Sequence, residues 1–161
     1  MHYDTDLSPN KSSLSTQNHT AANFQKGTRH DASMLKVFLI EDSALLQELL
    51  SGMLAELDGV EYCGCADGEN EALNRMAENP VDLVIIDIEL KQGSGIGVLD
   101  ALQTDSPLYG RPRKAVLTNY AHSTMRKRCE RIGMDAFFDK SLQINQLIDY
   151  VVDAAREKRA S

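Results

Sequence analysis

Short apolar segments alternate with longer stretches in which apolar residues recur every three or four positions, starting at Leu35. The short segments are typical of buried strands, and the longer ones predict helices with one apolar face. The predicted strands are Leu35 to Ile40, Val60 to Ala66, Leu83 to Ile86, Ala115 to Leu117 and Ala136 to Phe138. Because a helical pattern follows each strand, the sequence predicts an α/β fold with a five-stranded parallel sheet and helices on both faces.

Residues 1–34 lack this pattern and are rich in Ser, Thr, Asn, His and Asp. That composition predicts a disordered N-terminal extension, and its histidines (His2, His19, His30) show no spacing that indicates a site. Met34 directly precedes the first strand and is an alternative start of the protein. We therefore expect one domain over residues 35–156, followed by a short charged end at residues 157–161.

The chain has 161 residues, 42% of them apolar, and a formal net charge of −7. This composition suits one domain with one core. The net acidity argues against a nucleic-acid-binding surface. No apolar stretch is long enough to cross a bilayer, and the N-terminus lacks the layout of a signal peptide. We expect a cytoplasmic protein without membrane or nucleic-acid contacts.

Three cysteines are too few for a disulfide framework. Cys63 and Cys65 alternate on the second strand, which predicts that both lie on one face, and Cys129 falls in a helical pattern. Because a C-x-C pair with one distant cysteine lacks the spacing of a zinc site, we interpret all three as small hydrophobic residues in a reducing compartment.

Polar side chains stand where the predicted strands end. Glu41 and Asp42 follow the first strand, Asp87 the third, Thr118 the fourth and Lys140 the fifth. The carboxyl ends of parallel strands meet at one edge of the sheet, so these side chains should lie together. Three clustered carboxylates repel one another unless a cation lies among them, and Mg²⁺ prefers such oxygen ligands. With a lysine and a hydroxyl to hold an anion, the set is typical of phosphoryl transfer.

In these features, residues 35 to about 155 resemble the receiver domain of two-component response regulators of the chemotaxis-regulator type. The resemblance rests on Glu41-Asp42, Asp87, Gly95 eight residues later, Thr118, and Lys140 with an aromatic residue, Phe137, three positions before it. It implies a doubly wound, flavodoxin-like sheet with strand order 2-1-3-4-5.

The resemblance also implies a mechanism. Asp87 would accept a phosphoryl group from a phosphohistidine of a histidine kinase or a histidine phosphotransfer protein. Mg²⁺ would be bound by Asp87 and Asp42 directly, by Glu41 through water and by the backbone carbonyl of Glu89. Lys140 would pair with a phosphoryl oxygen, and Thr118 would donate a hydrogen bond to another.

By the same resemblance, Thr118 and Phe137 form a switch that couples the site to a protein-binding surface on the fourth helix, fifth strand and fifth helix. The chain would be a signalling protein and not an enzyme. It would also be a stand-alone receiver, because the sequence after the last helix is too short for a DNA-binding output domain. Terminal output, relay intermediate and phosphate sink all remain open.

Four residues depart from the pattern of the family or flank the expected phosphate. Asn119 replaces a smaller residue, and Glu89 and Tyr120 each lie two positions beyond a site residue. We predict that these three tune the lifetime of the aspartyl phosphate, with Glu89 and Tyr120 lengthening it. Ser141 replaces the proline that usually follows the lysine, so the Lys140–Ser141 peptide is either a costly cis bond or trans.

Other interpretations stay open. Glu41 and Asp42 could simply cap a helix, Lys140 could be a solvated surface residue, and Phe137 a core residue. The whole domain could be a pseudo-receiver that binds proteins without phosphorylation. A phosphatase of the haloacid dehalogenase type uses similar residues, but it has a second Asp where this chain has Glu89.

Overall fold

The computed structural model describes residues 32–161, and these form a five-stranded, fully parallel sheet in the order β2-β1-β3-β4-β5. The strands are β1 (Leu35–Ile40), β2 (Val60–Ala66), β3 (Leu83–Ile86), β4 (Arg113–Thr118) and β5 (Ala136–Asp139). The α-helices are α1 (Ala44–Ala55), α2 (Glu69–Glu78), α3 (Gly95–Thr104), α4 (Ser123–Ile132) and α5 (Ile144–Ala160), with a 3₁₀ turn at Ser106–Tyr109. The predicted fold class and strand order are confirmed.

Helices cover both faces of the sheet, as the apolar pattern predicts. All four residues of β3 are buried, which is typical of a central strand in a parallel sheet. On one face, Val84 and Ile86 pack with residues of α2, α3 and α4. On the other, Leu83 and Ile85 pack with residues of α1 and α5. The alternation of β3 side chains therefore divides the core between two helical layers.

Several helices begin or end at residues whose chemistry favours a helix end. The Ser43 hydroxyl accepts a hydrogen bond from Leu46 N at 3.4 Å and caps α1. Gly133, with φ 105°, ends α4 in the left-handed conformation that glycine tolerates best. Asn79 ends α2 immediately before Pro80.

The prediction that Cys63 and Cys65 share one face of β2 is wrong. Cys63 packs against the core under α2, α3 and α4, whereas Cys65 packs against the core under α1 and α5. The cause is a bulge, since β1 advances two residues from Val37 to Leu39 while β2 advances three, from Tyr62 to Cys65. Gly64 lies within it with φ +115°. One extra residue reverses the alternation of side chains along the rest of the strand.

The last helix extends further than the predicted domain boundary. Residues 157–160, which the sequence suggests are a separate charged end, continue α5 up to Ala160. Lys158 Nζ lies 2.9 Å from Asp82 Oδ1, and Glu157 forms an ion pair with Arg113. These contacts tie the end of α5 to the edge of the sheet where the strands begin.

The predicted N-terminal extension, including His2, His19 and His30, lies outside the described residues except for positions 32–34. Within residues 32–161, none of the helices combines the length and apolar character that a bilayer crossing requires.

Candidate functional site

Two neighbouring strands bring the acidic residues together. β1 and β3 pair in parallel with Ile40 opposite Ile86, so both chains leave the sheet at the same level. Asp87 N donates a hydrogen bond to Ile40 O at 2.9 Å, which fixes the end of β3 against that of β1. One carboxylate oxygen from each of Glu41, Asp42 and Asp87 lies within 4.8 Å of the others. Glu41 and Asp87 are buried, and Asp42 is half-buried.

Lys140 enters this cluster from the end of β5. Its Nζ lies 2.8 Å from Glu41 Oε2 and 2.9 Å from Asp87 Oδ2. Its backbone N donates to Thr118 O at 2.9 Å, so the pairing of β5 with β4 holds the lysine in place. The expected neighbourhood of Lys140 and Asp87 is thus present, and Glu41 is a second ion-pair partner.

Burial and crowding perturb the titration of these groups. Desolvation is the main reason why the pKa of Asp87 rises to about 6; Glu41 raises it further, and Lys140 opposes the rise. For Lys140, burial acts to lower the pKa, but hydrogen bonds to Glu41 and Asp87 outweigh it and raise that pKa above its ordinary value. The lysine is therefore charged at neutral pH beside carboxylates that outnumber it.

The donor set fits a hard divalent cation. Glu41 and Asp87 share Lys140, and Asp42 adds a third carboxylate, so the negative charge of the cluster exceeds the positive charge of the lysine. Half-buried Asp42 can offer oxygen ligands from the solvent side, while Asp87 reaches the same point from within. Mg²⁺ in proteins is usually bound by one or two carboxylates and keeps several water ligands. A magnesium ion would be held by Asp42 and Asp87, with Glu41 behind them.

The β3–α3 loop, residues 87–94, folds back over the site. Glu89 N donates to Asp87 Oδ1 at 3.3 Å, and Gly95 N donates to Ile88 O at 2.8 Å. A side chain at Gly95 is impossible without rearrangement, because its Cβ would lie 2.2 Å from the backbone oxygen of Asp87. This close approach explains the glycine eight residues after Asp87.

The same loop is fastened to the start of α2. Ser94 N donates to Glu69 Oε2 at 3.0 Å, while Gln92 O accepts from Glu69 N and Gln92 Oε1 accepts from Asn70 N, both at 2.9 Å. This contact could not be found from the sequence, because Glu69 and Ser94 are 25 positions apart and neither forms a motif. It holds the loop that carries Glu89 in a fixed position.

The carboxylates line an open cleft of about 230 Å³. Its walls are formed by Glu41, Asp42, Ser43, Leu46, Asp87, Glu89, Asn119, Tyr120 and Lys140. All three residues that are predicted to tune the phosphate lifetime (Glu89, Asn119 and Tyr120) are among them. The Glu89 carboxylate raises the pKa of Tyr120. Ser43 and Leu46 also line the cleft, although neither belongs to the set of site residues that the sequence indicates.

Thr118 and Phe137, the predicted switch residues, are both buried. The Thr118 hydroxyl accepts a hydrogen bond from Tyr120 N at 3.0 Å and is not part of the cleft wall. Because a hydroxyl also has a proton to donate, this bond leaves Thr118 able to donate to an anion. The Phe137 ring packs in the core with the Arg126 guanidinium 5.6 Å from its centroid.

The Lys140–Ser141 peptide bond is trans, which decides between the two conformations that the sequence leaves open. Asp139 Oδ1 accepts hydrogen bonds from Ser141 N at 2.8 Å and from Ser141 Oγ at 2.6 Å. Ser141 therefore stabilises the turn behind Lys140 through its own polar groups.

Comparison with known proteins identifies the domain. The sequence model of one protein family, the response regulator receiver domain, matches residues 37–152. A probable chemotaxis protein CheY from Rhizobium etli is 28% identical over 116 residues, covering 72% of this chain and 88% of that protein. A response regulator from Burkholderia pseudomallei, solved with a phosphorylated aspartic acid, a calcium ion and citrate, shares the fold. The two structures superpose with a TM-score of 0.61 and 21% sequence identity. The match covers 78% of this chain and 71% of the Burkholderia protein.

Other relatives are longer proteins. A protein-glutamate methylesterase/protein-glutamine glutaminase from Anaeromyxobacter dehalogenans is 32% identical over 82 residues, which cover 51% of this chain but 23% of that enzyme. A namesake from Chromobacterium violaceum is matched over 36% of its length. The chain thus spans roughly a quarter to a third of these relatives, and what it shares with all of them is one domain. From its sequence and its fold, this chain belongs to the response regulator receiver domain family.

Proposed function

We propose that the chain is a phosphorylation-dependent signalling protein in which Asp87 accepts a phosphoryl group from a phosphohistidine of a histidine kinase or phosphotransfer protein. The observation that carries this proposal is the position of Asp87, buried at the end of β3 with Lys140 Nζ at 2.9 Å and two further carboxylates within 4.8 Å. A carboxylate held beside a cationic side chain and a metal-binding pair is suited to an in-line transfer.

In this transfer an Asp87 carboxylate oxygen attacks phosphorus. The new P–O bond forms as the P–N bond to the donor imidazole breaks, and the imidazole nitrogen keeps the bonding electrons. Mg²⁺, when bound, neutralises charge on the phosphoryl oxygens. Lys140 then moves its ion pair from the Asp87 carboxylate to a phosphoryl oxygen, and the Thr118 hydroxyl donates to another.

Exposed leucines beside the cleft suit a protein donor. Leu45 and Leu49 of α1 are 79% and 52% exposed, and Leu142, two residues after Lys140, is 78% exposed. Leu45 and Leu49 are neighbours of Leu46 along α1, and Leu46 lines the cleft. A helical surface that presents a phosphohistidine would cover these leucines as its histidine enters the cleft.

The output is proposed to pass through Thr118 and Phe137 to the surface formed by α4, β5 and α5. Movement of the Thr118 hydroxyl toward the phosphate breaks its bond to Tyr120 N and shifts the β4–α4 loop. Phe137 lies beneath Arg126 of α4, so a change in its packing reaches that helix directly. Glu89 and Tyr120, which line the cleft together with Asn119, shield the phosphate from water and lengthen its life.

Intact mass after incubation with Mg²⁺ and acetyl phosphate tests the proposal. We expect a gain of one phosphoryl group in the native protein and none in Asp87→Asn, while Asp67→Asn, a matched exposed Asp after β2, behaves as the native protein does. Absence of any adduct would favour a pseudo-receiver, and continuous release of phosphate would favour a phosphatase. Chelation of Mg²⁺ should abolish the adduct.

A further inference from the structure

Helix α4 carries a local charge opposite to that of the protein. It contains four basic residues and one acidic residue, whereas the whole chain has a net charge of −7. Arg126 is occupied, because it pairs with Glu130 at 3.5 Å and stacks on Phe137. Lys127, Arg128 and Arg131 are exposed and form no ion pair within residues 32–161. Three cationic side chains are therefore available on this helix.

A groove of about 430 Å³ runs beside these charges, between the β3–α3 loop and α4. Apolar side chains line much of it, namely Ile88, Leu90, Ile96 and Met125. Arg128 contributes the cationic wall, and Asp42 and Glu89 the acidic end next to the phosphorylation site. The groove thus combines four apolar side chains with one cationic and two acidic ones.

We propose that this groove, which we name the α3–α4 groove, binds an acidic segment of a partner protein, with an apolar side chain on the groove floor and carboxylates on Arg128 and its neighbours. Arg131, three residues after Arg128 on α4, extends the positive charge beyond the groove, so a ligand that contacts both arginines is longer than the cavity. A polypeptide meets this condition, and a small anion does not.

The charges that line the groove favour a peptide over nucleic acid as its ligand. A phosphate backbone would pass Asp42 and Glu89 as well as the arginines, and the net charge of the protein would oppose its approach. A peptide can carry its acidic residues at the α4 end alone and place uncharged residues beside Glu89. Its occupancy needs no phosphate on Asp87, although Asp42 and Glu89 line both the groove and the cleft.

Selection from a random twelve-residue peptide library, displayed on phage against the immobilised full-length Asp87→Asn protein, tests this inference independently of phosphorylation. We expect the enriched peptides to be net acidic and to contain a Leu, Ile, Met or Phe. A synthetic copy should bind in fluorescence anisotropy, and its amide shift perturbations should lie in residues 88–96 and 125–131. Arg128→Glu should weaken its binding at least about tenfold, as the loss and reversal of a close charge pair does.

Arg156→Glu is the matched control, because it makes the same charge change on α5 at a side chain that is 71% exposed. It should leave peptide binding unchanged, and thermal unfolding should show that both variants are folded. The inference is overturned if no peptide is enriched, if the peptides are not acidic, or if both variants weaken binding equally. Shift perturbations confined to β5 and α5, or tighter binding of duplex DNA than of any peptide, would also overturn it.

Discussion

At the edge where the strands begin, Asp82 precedes β3 and Asp135 precedes β5; at the opposite edge, Asp42 and Asp87 follow β1 and β3. Asp82 accepts from Lys36 N at 2.8 Å and from Lys158 Nζ at 2.9 Å. Asp135 likewise accepts from Lys114 N at 2.8 Å and pairs with Lys114 Nζ at 3.7 Å. Both aspartates at this edge thus have a backbone donor and a lysine of their own.

At the edge where the strands end, which we call the carboxyl edge, the carboxylates do not each have a lysine. Glu41 and Asp87 share Lys140, and Asp42 lies beside them without an ion pair among residues 32–161. Burial raises the pKa of Asp87 to about 6, which means that the folded protein disfavours its charged form. The same residue type thus stabilises the fold at one edge and lowers its stability at the other, where the unmet charge is available for a cation and a phosphoryl group.

Of the substitutions that test this difference between the edges, removal of the shared lysine should change the free energy of unfolding most. Lys140→Met leaves Glu41 and Asp87 buried without a cation, so the free energy of unfolding at pH 7.5 should fall by about 3 kcal/mol. Urea denaturation followed by circular dichroism measures the loss, and added Mg²⁺ should recover part of it.

Lys114→Met is the matched control, because the Lys114 and Lys140 side chains are both 12% exposed. Its partner Asp135 is 44% exposed, so this substitution should cost only about 1 kcal/mol. Equal losses in the two variants would mean that the two edges do not differ in electrostatic strain.

Substitution of the aspartates themselves should give effects of opposite sign. A folded-state pKa of about 6, against 3.8 for the unfolded chain, means that ionised Asp87 destabilises the fold above pH 6 by about 3 kcal/mol. This cost disappears as the pH falls through 6 toward 3.8. Asp87→Asn should therefore stabilise the protein by about 2 kcal/mol at pH 7.5 without Mg²⁺, and by much less near pH 4.5.

Asp82→Asn should instead lower the free energy of unfolding by about 1–2 kcal/mol at pH 7.5, since it weakens hydrogen bonds that depend on the charge. Parallel urea titrations of both variants at the two pH values provide the measurement. Destabilisation by Asp87→Asn at pH 7.5 would contradict the assignment of strain to the carboxyl edge.

The smallest effect is expected from Lys158→Ala at the edge where the strands begin. The Lys158 and Asp82 side chains are 32% and 29% exposed, so loss of this pair should cost about 1 kcal/mol or less. The cost should shrink further in 1 M salt, where charges are screened over about 3 Å. Phosphorylation of Asp87, measured by intact mass, should proceed at the native rate. A slower rate would indicate that the two edges are coupled.

The sequence predicts those features that depend on local pattern. β1, β2 and β3 have the predicted bounds, because apolar runs and adjacent turn or polar residues mark both ends. Asp42, Asp87 and Lys140 could be assigned to one edge because parallel strands deliver their carboxyl ends together.

Features that depend on distant residues could not be predicted. The Glu69–Ser94 contact and the pairing of Lys158 with Asp82 join residues 25 and 76 positions apart. The second ion pair of Lys140 depends on the direction in which the buried Glu41 side chain points. The cysteine prediction was wrong because strict alternation assumes a regular strand, and one additional residue in β2 reverses it.

That additional residue has a consequence for how the protein behaves at high concentration. β2 is an outer strand of the sheet, so its free side presents N–H and C=O groups that a strand of another molecule could pair with. At the Gly64 bulge the spacing of these groups is interrupted and the strand bends, so an incoming strand cannot stay in register along its length. The bulge thus opposes edge-to-edge aggregation through β2, the outer strand on the side of the sheet opposite β5.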